Sequence, residues 1–160
     1  MKTCKSETFE NLYEPFREHA VDTAPAKSSF LYLVSNHDLE DMRDTLAKGA
    51  LPLDFEAKLR NLRGDSIVHR AVEQNCRLFV ALLFAAQTGS FSECSLANQE
   101  RLLRVLAYVH KDDDAIPDYK PRGFLDDQRE VRAVVTELAP LLAAFKAWHL
   151  RNQVPGLWSP

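Results

Sequence analysis

The chain has 160 residues, 46% of them apolar and 27% charged, a balance that fits one globular domain and excludes the apolar-poor, highly charged composition of disorder. Its formal net charge of -3 comes from interspersed acidic and basic residues, so the broad basic footprint of a general nucleic-acid binder is missing. Five glycines form no phosphate-cradling run, and Cys4, Cys76 and Cys94 stand in no paired metal spacing, so no cofactor is expected. The spacing of the cysteines suits reduced thiols, Met1 to Phe9 has no signal-like apolar core, and no stretch approaches the roughly 18 apolar residues of a membrane span. A cytoplasmic protein away from the membrane is the expectation.

Helical periodicity dominates from the start of the chain. Between Glu7 and His19, Phe9, Leu12, Tyr13 and Phe16 share one helical face, with Pro15 shortening or kinking the segment. Asp22 to Ser29 reads as a connector, and Ser28 or Ser29 is placed to cap a helix through Leu31 and Val34. Asp38 to Lys48 presents Leu39, Met42 and Leu46, and Gly49 supplies a helix stop. Leu51 to Gly64, with Pro52, reads as a long connection. Asp65 or Ser66 then caps a helix carrying Ile67, Val68, Ala71 and Val72, and Arg77 to Gln87, apolar on most of its surface, is the expected central helix, ended by Gly89. Ser95 to His110 repeats the amphipathic theme. Asp126 to Asn152 carries a long apolar stripe from Val131 to Trp148, with a kink expected at Pro140.

Two stretches of the first half resemble each other. Ser29 aligns with Ser66 and Met42 with Val80, a spacing of 37 or 38 residues, close to the period of about 33 in ankyrin repeats. Gly64-Asp65-Ser66-Ile67-Val68-His69-Arg70-Ala71 resembles the ankyrin Gly-x-Thr-Pro-Leu-His-x-Ala signature, with Ile67 in place of proline. Lys48-Gly49-Ala50 resembles that family's helix ending. The resemblance, over about residues 28–88, implies an all-α fold of stacked helix pairs, two ankyrin-like repeats capped by C-terminal helices. It also implies that Gly64, Ser66, His69 and Ala71 are structural, and that Asn36, His37, Asp38, Asn75 and Arg77 form a partner-binding face.

The second half contains a distinctive string between two helices. Tyr108, Asp114-Ala-Ile-Pro117-Asp118, then Gly123-Phe-Leu-Asp126-Asp127 is similar to the motif of the bacterial YkvA-like family, a helical hairpin without established chemistry. The resemblance covers about residues 107–131 and implies a shape rather than an activity. On physical grounds Asp114 and Asp118 flank a helix-ending proline, and Asp126 or Asp127 is suited to cap the following helix.

The whole chain, residues 1–160, thus reads as a single helical domain, with helix pairs over 28–88 and a helical hairpin carrying the acidic loop over 95–152. The leading expectation is a protein-interaction module, an adaptor, inhibitor or immunity-type protein whose partner is another protein. The alternative is a metal-dependent hydrolase using the carboxylates between Asp112 and Asp127, with Asp114, Asp118, Asp126 and Asp127 as ligands and His110 as acid or base. Pairing of His69 with Cys76 as a catalytic couple is disfavoured. So is nucleic-acid binding through Arg101, Arg104, Lys120 and Arg122, because acidic residues surround them.

Overall fold

The computed structural model describes residues 29–112, 118 and 123–152, and the segment from Glu7 to His19 lies outside them. Among the described residues all regular structure is helical. A single 3-10 turn, Leu31–Leu33, precedes six α-helices: α1 (Asn36–Ala47), α2 (Leu53–Asp65), α3 (Ile67–Gln87), α4 (Leu96–His110), α5 (Leu125–Glu137) and α6 (Ala139–Asn152).

Local chemistry sets these boundaries. Ser35 begins α1 through a capping box: its hydroxyl accepts the Asp38 amide at 3.1 Å while the Asp38 carboxylate accepts the Ser35 amide at 2.8 Å. That box starts α1 before Asp38 and leaves the expected helix through Leu31 and Val34 as a 3-10 turn. Ser29 is drawn elsewhere: its hydroxyl donates to Glu130 at 2.7 Å, and the Phe30 amide donates to the same carboxylate at 2.8 Å. At the other end of α1, Gly49 takes φ 73°, which lets the Ala50 and Gly49 amides return to the carbonyls of Thr45 and Leu46.

The expected connection from Leu51 to Gly64 is instead a helix. Phe55, Leu59 and Leu62, spaced by four and three, form its buried stripe, Asp54 and Glu56 occupy the first turn, and Pro52 stands immediately before it. Gly64 lies in the last turn of this helix, and Ser66 alone separates α2 from α3. Ser66 accepts the His69 amide at 3.1 Å and so caps α3.

The second stretch of the internal resemblance also departs from expectation. No turn separates Asn75 from Arg77: residues 67–87 form one continuous helix, whereas the matching first stretch is a 3-10 turn followed by α1. Ten residues of α3 are buried, among them Val72, Cys76, Phe79, Leu82 and Leu83, and α3 packs on α1, α2, α4 and α5. The central helix is therefore longer than the apolar run from Arg77 to Gln87 that announces it.

The expected long C-terminal helix is two helices, α5 and α6, bent by 79° at Leu138. Pro140 falls in the first turn of α6, where a missing amide hydrogen costs no intrahelical bond. Beyond the bend α6 packs on the connection from α3 to α4, where Phe91 meets Phe145 edge-on at 5.3 Å, and Trp148 stacks on Phe145 at 5.6 Å.

Truncating the centre of this core has a definite expected cost. Phe79→Ala and Leu83→Ala, both at fully buried positions of α3, should each lower stability by roughly 2–5 kcal/mol. Urea midpoints read by far-UV circular dichroism check this, and unchanged midpoints would remove α3 from the centre of the fold.

Candidate functional site

The interior holds an unusual charge. Lys58 stands between Phe55 and Leu62 on the buried side of α2, and its side chain is only 10% exposed. Its ammonium donates to the Lys111 carbonyl at 2.9 Å, to the Val109 carbonyl, and to Asp118, and lies 3.5 Å from Asp112. It also sits 5.7 Å from the centroid of the Phe124 ring. Burial pulls the Lys58 pKa down, but Asp127, Asp118 and Asp112 together raise it by more, so the group stays charged.

Lys58 therefore ties three parts of the acidic motif together: the end of α4, the loop at Asp118, and the start of α5. Tyr108, fully buried, adds a fourth link by donating to Asp126 at 2.7 Å. Asp126 and Asp127 occupy the first turn of α5 and complement its dipole, but neither caps it: the cap position is Phe124, with no side-chain cap bond. Both carboxylates point inward instead, because the buried ammonium and phenol draw them there. Gly123 is buried beside them, while Asp114 and Pro117 lie outside the described residues.

Of the proposed metal ligands within the described residues, Asp118 is an ion-pair partner of Lys58, Asp127 interacts with the same ammonium, and Asp126 accepts from Tyr108. Among the described residues no three His, Cys, Asp or Glu side chains are arranged to hold a metal ion. His110, the suggested acid or base, turns away from the loop: it bonds Asp54 at 2.9 Å and packs on Phe55. His69 lies edge-on to Phe124 at 5.0 Å, Ala71 is buried, and Cys76 is seven residues further along the same helix. Burial pushes the Cys76 thiol well above its ordinary range, which suppresses the thiolate a nucleophile needs. Arg101 and Arg104 are engaged by Glu137 and Glu100.

The residues expected on a partner-binding face divide. Asn36 and His37 are exposed, with Asp38 half-buried beside them at the start of α1. Asn75 is buried and its amide donates to the Ala71 carbonyl at 2.8 Å, as a residue in the middle of a continuous helix would. Arg77 is held by Glu56 and Glu73 in an interhelical network between α2 and α3. These two residues therefore do not share the exposed face of the other three.

Around Asn36, His37 and Asp38 the structure adds residues that periodicity did not single out. Tyr32 is 73% exposed and Leu53 89% exposed, while Leu33 is 37% exposed. Lys111 bonds the Leu33 carbonyl at 3.4 Å and Asp38 at 3.1 Å, while Asp54, next to Leu53, holds the adjacent His110. Tyr32 and Leu33 on one side and Leu53 on the other thus flank His110 and Lys111 at the end of α4. The Asp54 pKa is lowered chiefly by its hydrogen bond to His110. On α1, His37, Glu40, Asp41 and Asp44 follow at helical spacing and face outward, with His37 and Asp41 3.4 Å apart.

A separate open cavity of about 420 Å³ lies where α3 and α5 begin, lined by Val68, His69, Asp118, Phe124, Leu125 and Gln128. Asp118, the carboxylate lining it among the described residues, is committed to Lys58. No protein-family model, curated protein or solved structure matches this chain.

Two expectations follow from the Lys58 geometry. Lys58→Met should cost about 3–5 kcal/mol, because it leaves buried carboxylates without their cation. The raised Lys58 pKa also contributes stability that is complete below 10.5 and is lost as pH rises through the folded value, so the parent should lose stability at strongly alkaline pH and Lys58→Met should lose less. Urea titrations of both proteins from neutral to alkaline pH measure both effects. Melting temperatures in magnesium, calcium and chelator should coincide, whereas an ion bound at 100 times its dissociation constant would add about 2.7 kcal/mol.

Proposed function

We propose that this protein is a binding module, an adaptor, inhibitor or immunity-type protein, that recognises another protein through the end of the bundle formed by Tyr32, Leu33, the start of α1 and Leu53. The observation carrying this reading is the exposure of Tyr32 and Leu53 on either side of His110 and Lys111, whose polar atoms are already engaged. Large apolar side chains kept in water beside pre-positioned charged pairs are the usual make-up of an interface centre with a polar rim. The internal engagement of Lys58, Asp118, Tyr108 and Asp126 also argues for a structural role of the acidic motif.

The test uses the full chain carrying a photocrosslinker at Asn36, expressed in its native host. One discrete protein should crosslink, and Tyr32→Ala or Leu53→Asp should abolish the product while changing stability by no more than the surface range of about 0.5 kcal/mol. Interface anchors of this type lose 2 kcal/mol or more on truncation, equivalent to roughly 30-fold in affinity. Leu150→Asp, at an exposed position of α6, should leave the crosslink intact. A product that survives both Tyr32→Ala and Leu53→Asp would overturn the assignment.

A further inference from the structure

We infer that the surface recognised by this end of the bundle is a cationic segment of a partner protein carrying an apolar anchor; the inference rests on the binding-module reading above and adds the chemistry of the partner. Among the described residues Lys111 meets Asp38 at 3.1 Å, His110 meets Asp54 at 2.9 Å, His37 meets Asp41 at 3.4 Å, and Arg129 lies over the Phe30 ring at 4.9 Å. Carboxylates remain in excess. Glu40 and Asp44 are exposed on the outward face of α1, with no ion pair among the described residues, whereas Asp112, although 82% exposed, lies 3.5 Å from the Lys58 ammonium. Arg43 lies off this stripe and Lys48 at its far end, beyond α1, so neither neutralises the part next to Tyr32.

The apolar and acidic features therefore adjoin. Tyr32, Leu33 and Leu53 supply contact area, and Glu40, Asp41 and Asp44 continue from the start of α1 along its exposed face as a run of negative charge. An acidic partner, or the phosphate backbone of a nucleic acid, would meet like charge here, whereas Lys or Arg on a partner would be attracted and steered. Because these carboxylates are solvent-exposed, their contribution is screened over about 8–10 Å at ordinary ionic strength, which makes binding salt-sensitive.

Two designed peptides test this on the full-length, nitrogen-15-labelled protein: an amphipathic leucine/lysine helix and its leucine/glutamate counterpart with the same apolar pattern. The lysine peptide should shift amide resonances of residues 32–44, 53–54 and 110–112, lose at least tenfold in affinity when salt is raised from low to high ionic strength, and no longer bind the Glu40→Lys/Asp41→Lys/Asp44→Lys variant. The glutamate peptide should leave those resonances unmoved. Equal binding of both peptides, shifts confined to another surface, or no binding of the lysine peptide would each overturn the inference. Failure here with the Tyr32 and Leu53 dependence of the native crosslink intact would reject only the cationic partner. Success here without any native crosslink would reject the binding-module reading.

Discussion

An ammonium group that is nine-tenths removed from water has to be compensated where it sits, and in this protein that requirement governs the second half of the fold. Lys58 projects from α2 into the space where α4 ends and α5 begins, and it is compensated by carbonyls and carboxylates from both. Apolar packing would hold the helices together in many registers. The lysine favours the arrangement that brings Val109, Lys111, Asp118 and Asp127 around it. Replacement of such a buried ion pair by well-packed apolar residues can leave stability unchanged, so its value here lies in fixing the geometry of one loop as much as in energy.

Fixing that loop has consequences on the surface. The carbonyl that Lys111 offers to Lys58 belongs to the same residue whose side chain reaches Asp38 and the Leu33 carbonyl. One residue thereby joins the internal charge to the exposed end that carries Tyr32, Leu33 and Leu53. The interior accounts for Asp118, Asp126 and Asp127, which attract a metal-site reading, and the exterior retains the exposed apolar side chains of Tyr32 and Leu53. Chemistry and recognition are thus separated in space: the polar groups of the motif are used for building, and the proposed contact surface is assembled from residues around it.

Much of the helical layout was legible in the sequence because it rests on local signals. Ser66 caps a helix and the next begins at Ser95 as read, Gly49 and Gly89 adopt positive φ just past helix ends, and the apolar run from Leu78 to Phe84 lies in the central helix, whereas the cap expected at Ser28 or Ser29 is supplied by Ser35. What was not legible depended on distant partners or diluted patterns. The stripe of Phe55, Leu59 and Leu62 was present but lay between Pro52 and Gly64, and charged neighbours masked it. Lys58 on that same stripe was the available clue to a buried charge, since a lysine flush with three apolar residues at helical spacing must be either exposed by an error of register or compensated inside. Asn75 and Arg77 were misplaced because a pattern of two short helices and one continuous helix share the same apolar spacing. Exposure of Tyr32 and Leu53 had no local signature at all, because their surroundings are set by the meeting of α1, α2 and α4.

The elbow at Leu138 changes what the most apolar part of the chain can be. At a rise of about 1.5 Å per residue, the 13 residues of α5 and the 14 of α6 reach only about 20 Å each, short of the roughly 30 Å of a bilayer's hydrocarbon. A straight helix over the same residues would be nearly twice as long. Folding the rod into an elbow turns that length inward, so that Phe145 and Trp148 shield Phe91 and the connection from α3 to α4, and a stretch with the composition of a span becomes a brace for its own core.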